Sequence, residues 1–460
     1  MKNHFRLALV IWQIITALVV ASVVAIYLRN GMKGIDLFIQ QWPLSIYSVM
    51  LESAALTWLC FGAILYLLAN EKINASNILT VAGFFIVMLV YLNFLRERFR
   101  YGDYAYYIEA GTAMLQHKTL PDTYLYLPLW AALMQYIVPL GDEGVLAVLW
   151  LVNMIALGAF YFLLHRVLER YGFAPRFAAL TATLFILINA PIQRTLGYTQ
   201  VNLIVLDLIF ISVLTYPKNS FISALTLALA IHLKTSPAVL VLAFLLERDW
   251  RWLAWFALTF LLIALIPVAT NGISPYYDYL NNINILTKIP DTNFHDTSFD
   301  SFFRFLNPFF GIKIETTRII VLIFKATLGV ATVTVMARNV INKTFAAANI
   351  LNALPALFVM MTLASPIVWD HHGVFTALSF LVLLKTIESP AAWIWFAFAY
   401  FLEFIMPSFD FFPWSYGRLL APMILLGIMW GLAKKQEGSR LFNSVNNWLK
   451  ILSPLPLGEG

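Results

Sequence analysis

Apolar runs close to 20 residues long, separated by short polar stretches, follow one another along almost the whole chain. About 20 residues at 1.5 Å rise cross the hydrocarbon of a bilayer, so each run predicts a membrane-spanning helix. The pattern places spans at 7–28, 48–69, 77–95, 143–165, 177–190, 200–216, 219–233, 236–247, 252–270, 317–336, 345–365, 371–388, 391–406 and 417–433, about fourteen in total. The four between 177 and 247 are short, as expected of helices that stop at a water-filled cavity or cross a thinned bilayer. The apolar piece Leu127 to Leu140 is also too short for a span and carries Pro128 and Pro139 at its ends, which predicts a re-entrant or interfacial helix. The apolar core of 7–28 exceeds the 7–15 residues of a signal peptide and reads as a retained helix. The prediction is an all-α, polytopic integral membrane protein, with one multi-helix domain over 1–433 and a polar tail over 434–460.

Composition narrows the function. Only 12% of residues are charged and 61% are apolar, against about 25% and 45–50% in soluble domains. A soluble enzyme, a disordered protein and a nucleic-acid reader are excluded, and the single Cys60 excludes a disulfide framework and a cysteine metal site. The net charge of +6 becomes informative once placed in loops. Lys2 and Arg6, then Arg166, Arg170 and Arg176, Arg248 and Arg251, Arg338 and Lys343, and Lys434, Lys435 and Arg440 fall on one side. By the positive-inside rule that side is the cytoplasm, with both termini there; the expected location is the cell's inner (plasma) membrane. The other side receives 29–47, 96–142, 191–199, 233–236, 271–316, 366–370 and 407–416.

Polar residues gather on that second side, in RERFRYGDYAYYIEAG (96–111), QRTLGYTQVN (193–202), IHLKTSP (231–237), FHDTSFDSFFR (294–304) and SPIVWDHH (365–372). Charge near a membrane is costly, so such clustering marks a site, and the prediction is one extracytoplasmic cavity roofed by loops. Asp103 has two readings: a general base for an acceptor hydroxyl, or the N-cap of a helix running to Leu115. Arg96, Arg98, Arg100 and Lys234 either contact a phosphate or snorkel to headgroups. Gln200 and Asn202 either cap a helix or bind sugar hydroxyls. His371 and His372 follow Trp369 and Asp370; adjacent histidines diverge by about 100° on a helix, and no zinc-type spacing accompanies them, so a hydrogen bond to phosphate or hydroxyl is preferred over a metal. Asp296, Asp300 and Arg304 read as solvated charges of a mobile loop. No Walker loop, dinucleotide fingerprint or nucleophile elbow is present.

Taken in order, GDYAYYIEAG, YLYLPL (124–129), TQVN (199–202), HLKTSP (232–237), HDTSFDSFFR (295–304) and SPIVWDHH resemble glycosyltransferase family 87, the polyprenyl-phosphate-mannose-dependent α-mannosyltransferases, over residues 77–433. The resemblance implies a C-type glycosyltransferase fold, an active site facing away from the cytoplasm and Asp103 as catalytic base. It differs in two extra spans before Asp103, in Thr199-Gln200 where the family often has Gly-Gln, and in Asp296-Thr297-Ser298 where it often has Asn-Gln-Ser. The implied reaction moves a hexose, most simply mannose, from a polyprenyl-phosphate sugar to a hydroxyl of a lipid-linked or cell-envelope acceptor, with inversion and without cofactor or metal. Lys234, His371, His372 and Arg100 then serve the donor phosphate. Tyr107, Tyr126, Tyr198, Gln200, Asn202, His232, Ser298, Trp369 and Asp370 serve the sugar or acceptor. A polytopic transporter or a glycolipid flippase without transferase chemistry is the alternative.

Overall fold

The computed structural model describes residues 2–40, isolated positions between 58 and 69, and residues 75–98, 103–286, 296–407, 409 and 412–435; they are helical and contain no strand. Most of the predicted span at 48–69, Arg100, His295 and the tail beyond residue 435 lie outside the described residues. The first helix, α1 (Lys2–Gln40), runs twelve residues beyond the expected end at 28, about 18 Å further at helical rise. Its apolar part alone, Arg6–Ile26, qualifies as a span.

Helices α2 (Ala75–Arg98) and α3 (Tyr104–Leu115) lead to α4 (Pro128–Met134), which Pro128 opens. Proline at the first helical position loses no hydrogen bond and presets φ. A 3-10 turn, Val138–Leu140, lies between α4 and the long α5 (Gly141–Arg170), and the piece expected to be re-entrant or interfacial forms with α5 a single apolar helical stretch, Pro128–Arg170. Next come α6 (Pro175–Leu187) and α7 (Ala190–Gly197), bent by 61° relative to each other. The Asn189 side chain causes a fresh start there by accepting from the Ile192 N–H at 2.9 Å, an N-cap. The stretch expected to be a loop, 191–199, is therefore mostly a buried helix. Its polar residues are tolerated because they pair within the protein.

The interior is built by α8 (Asn202–Thr215), α9 (Ser220–Leu233) and α10 (Val241–Glu247). The chain then passes through α11 (Trp250–Asn271), α12 (Ser274–Leu286), α13 (Phe299–Phe310), α14 (Ile314–Asn342) and α15 (Asn349–Leu363). The described chain closes with α16 (Ala377–Thr386), α17 (Pro390–Tyr400) and α18 (Trp414–Lys435). Helix α9 packs between α8 and α11, α5 against α8, and α14 against α15. Apolar side chains such as Leu261 and Leu265 on α11, and Leu322 and Val330 on α14, point outward. Faces so broadly apolar are stable against lipid, not water.

Among the described residues five helices are long and apolar enough to cross a membrane: Arg6–Ile26, Pro128–Arg170, Trp250–Asn271, Ile314–Asn342 and Trp414–Lys435. The bent pair α6–α7 makes a sixth. Other apolar helices are shorter, including Asn202–Thr215, Ser220–Leu233 and Ser236–Glu247, the region whose spans the sequence marks as short.

Candidate active site

Asp103 stands at the head of α3, but its side chain makes no capping bond. Its carboxylate Oδ2 instead accepts a hydrogen bond from Nε2 of Gln200, and its backbone N–H donates to the Tyr198 carbonyl at 2.9 Å. The two attachments come from one short turn. At the end of α7 the Gln200 N–H bonds the Thr195 carbonyl and the Thr199 N–H bonds the Leu196 carbonyl, the paired pattern of a Schellman stop. That stop needs a left-handed residue between them, and Thr199 has φ 56°. Glycine adopts this region freely, whereas a β-branched residue there is strained. The departure Thr199-Gln200 thus keeps the conformation that a glycine would give.

The Gln200 amide oxygen accepts from Tyr126 Oη at 2.8 Å and from Tyr107 Oη at 3.4 Å. The two hydroxyls lie 3.3 Å apart, and their rings meet edge to face at 5.7 Å. The oxygen faces hydroxyl donors and the nitrogen faces a carboxylate, so the network itself fixes the orientation of the amide.

Lys234 ends α9 and donates from Nζ to Asn202 Oδ1 at 2.7 Å; its ammonium also lies 5.4 Å from the centre of the Phe375 ring, within cation–π range. Asn202 Nδ2 in turn donates to the His371 carbonyl at 3.1 Å, and Thr195 Oγ1 donates to the same carbonyl at 3.3 Å. The His371 ring is 6.1 Å from the Tyr198 ring. Four distant stretches, 103–107, 195–202, 234 and 371–375, therefore meet in one place.

Burial pushes Asp103 up to about 6, against the pull of Lys234 and Gln200 in the other direction. Burial likewise brings Lys234 down to about 7, opposed by the negative charge of Asp103.

Other residues singled out in the sequence have engagements of their own. His372 Nδ1 accepts from the Trp369 N–H at 3.0 Å and its ring also bonds the Ile367 backbone, which fixes the loop. Asp370 is clamped by Arg194 and Arg418, each at 2.6 Å. Trp369 lines a small cavity beside Asp370, Glu403 and Arg418. Ser298 caps α13 by accepting from the Ser301 N–H. Asp296 accepts from the Val368 and Ser298 N–H groups, and Asp300 pairs with Lys325; neither is a solvated charge. His232 turns away: it bonds the Phe260 carbonyl at 3.0 Å and its ring lies 4.4 Å from that of Phe260. Tyr198 remains partly exposed.

Four residues with evident roles were not legible as candidates: Thr195, Arg194, Arg418 and Glu403. Glu403 is 4% exposed, sits on a π-helical turn, Phe401–Ile405, and its Oε1 is 3.4 Å from Thr376 Oγ1. A lone acid inside the apolar run 391–406 is itself a signal for function or pairing, and single-turn π-bulges often occur at functional sites. Among the described residues no three His, Cys, Asp or Glu side chains converge as a metal site requires.

An all-helical membrane scaffold with one carboxylate, one lysine and a set of hydrogen-bonding amides and tyrosines at the ends of its short helices defines a class of membrane enzyme that handles polar groups beside lipid. The model of glycosyltransferase family 87 matches residues 124–366, more than half of the chain, and the protein belongs to that family. It is a membrane glycosyltransferase, and it takes a sugar donor and an acceptor. The matched span holds Tyr126, Tyr198, Gln200, Asn202, His232, Lys234 and Ser298, while Asp103, Tyr107, Trp369, Asp370, His371 and His372 lie outside it. Comparison with curated proteins gives no match.

Proposed function

We propose that the protein moves a hexose, mannose in the simplest case, from a polyprenyl-phosphate sugar to a hydroxyl of a lipid-linked or cell-envelope acceptor. The reaction takes place on the extracytoplasmic side of the inner membrane, within a C-type fold of about fourteen spans whose termini are cytoplasmic. The observation that carries this reading is the linkage of Asp103 and Lys234 through one stretch of chain: Gln200 donates to the carboxylate and Asn202 accepts from the ammonium, and each charge acts on the other. A base and a cation coupled in this way suit a displacement in which a proton leaves one partner while phosphate leaves the other.

In that step the acceptor oxygen attacks the anomeric carbon, and its proton passes to Asp103. The carbon–oxygen bond to phosphate breaks, and the electron pair leaves with the polyprenyl phosphate. Attack opposite to the leaving group inverts the centre. Phosphate is a good leaving group, so no strong acid is needed; Lys234 stabilises its developing charge. His371 contributes a hydrogen bond, and Arg100 is a further phosphate contact of the same proposal. A carboxylate titrating near 6 is well matched to general-base work at neutral pH. Tyr126, Tyr198 and Trp369, each partly exposed, offer aromatic faces to sugar rings, whereas Tyr107 is fully buried and acts through its hydroxyl.

The test is a donor panel. Purified protein in lipid nanodiscs receives radiolabelled polyprenyl-phosphate mannose, polyprenyl-phosphate glucose or a nucleotide sugar, together with a cell-envelope glycolipid extract. Transfer from a polyprenyl-phosphate donor alone is expected. Transfer only from the nucleotide sugar contradicts the donor assignment. Movement of labelled lipid across proteoliposomes without a new glycosidic bond favours a flippase instead.

A further inference from the structure

Gln200 is more heavily committed than a sugar-binding amide needs to be. Its oxygen serves two tyrosine hydroxyls and one of its two N–H groups serves Asp103, which leaves a single N–H for anything else. The residue stands on the left-handed stop at Thr199, and the same turn holds the Asp103 backbone through the Tyr198 carbonyl. Asp103 is thereby gripped at main chain and side chain from one rigid element. Among the described residues Oδ1 accepts no hydrogen bond.

From this arrangement we infer that Gln200, polarised by Tyr126 and Tyr107, is a positioning residue that occupies Oδ2 of Asp103 and reserves Oδ1 for the acceptor hydroxyl. This rests on the reading of Asp103 as base. Three effects follow from the chemistry. The carboxylate loses rotational freedom about its terminal bond, so the free lone pair points one way. A donor on the ionised form favours that form. Each tyrosine that donates to the amide oxygen strengthens the N–H on the far side of the amide, as chained hydrogen bonds do in a low-dielectric site. Among the described residues, the charged and titratable groups that face Asp103 are Lys234, from the end of α9, Tyr107 on α3 and Tyr126 before α4. His371 and His372 face Lys234.

The experiment titrates Asp103 directly in the full-length protein in detergent. Protonated carboxyl groups are coupled to glycine ethyl ester by a water-soluble carbodiimide between pH 4 and 9, and mass spectrometry reads the extent of labelling at Asp103. Gln200→Leu removes the donor at similar volume and is expected to raise the midpoint by about one unit or more, since hydrogen bonds to charged groups contribute about 1.5–3 kcal/mol. Tyr126→Phe is expected to raise it by less and carries the test if Gln200→Leu does not fold. Both variants are expected to lower kcat with little change in donor KM. A midpoint that stays fixed in the folded variants overturns the inference, even where melting temperature falls, because a packing role moves stability and leaves the titration in place. The labelling needs no turnover. A shifted midpoint in a protein without transferase activity therefore keeps the hydrogen-bonded bracket and removes only the catalytic reading.

Discussion

In the proposed mechanism two side chains set the chemistry, and their charge states give a pH profile with a definite sign. Asp103 must be ionised to accept a proton, and burial holds it at about 6. Lys234 must be protonated to meet phosphate, and burial lowers it to about 7. The ratio kcat/KM should therefore rise as pH increases through about 6 and fall as pH passes about 7, a narrow bell read from initial rates across a buffer series. Lys234→Arg should keep the charge at all working pH values and remove the alkaline fall, whereas Lys234→Ala should raise donor KM at every pH. Sequence alone left Asp103 balanced between cap and base, because aspartate is equally apt for both. The choice rests on Gln200, 97 residues away, and pairings at that separation have no local signature. The same holds for Asn202, whose amide is consumed by Lys234 and the His371 carbonyl.

At the level of elements, the stop of α7 and the loop before α16 carry the site. Thr199→Gly relieves left-handed strain of about 1–2 kcal/mol and should fold with transfer rates close to wild type. Thr199→Pro cannot reach positive φ and deletes the N–H that bonds Leu196, so it should cost about 3 kcal/mol or more and abolish transfer; paired thermal melts and rate assays distinguish the two. The Asp370 clamp makes a second claim. Removal of the carboxylate in Asp370→Ala leaves Arg194 and Arg418 facing each other in the interior and should cost about 3–5 kcal/mol, visible as a large drop in the detergent melting temperature. A melt like that of wild type, coupled with weaker acceptor binding, would return Asp370 to the sugar-binding role assigned from its motif. Motif order locates these loops because polar residues near lipid must cluster. It does not distinguish residues that touch substrate from those that hold loops together, as Ser298, Asp296 and His372 do.

Across the molecule, the apolar periodicity yields the all-helical membrane class directly, since lipid tolerates few alternatives. Helix ends are less legible. A run such as 7–28 ends where polarity begins, yet α1 continues to Gln40, and nothing in polarity alone stops a helix once it leaves the membrane. The proposed orientation has its own check. With Cys60 replaced by serine, a cysteine at the exposed Tyr106 should react with a membrane-impermeant maleimide applied to intact cells, and a cysteine at Lys343 should react only after lysis. The reverse pattern would invert the topology and put the carboxylate in the cytosol.

The most direct measurement compares wild type with Asp103→Asn in single-turnover transfer from radiolabelled polyprenyl-phosphate mannose, with donor binding measured on the same nanodisc preparation. Loss of a general base should slow transfer by about 10²–10⁴-fold while donor affinity and melting temperature stay near those of wild type. Transfer by Asp103→Asn within about tenfold of wild type would contradict the assignment of this carboxylate as the base.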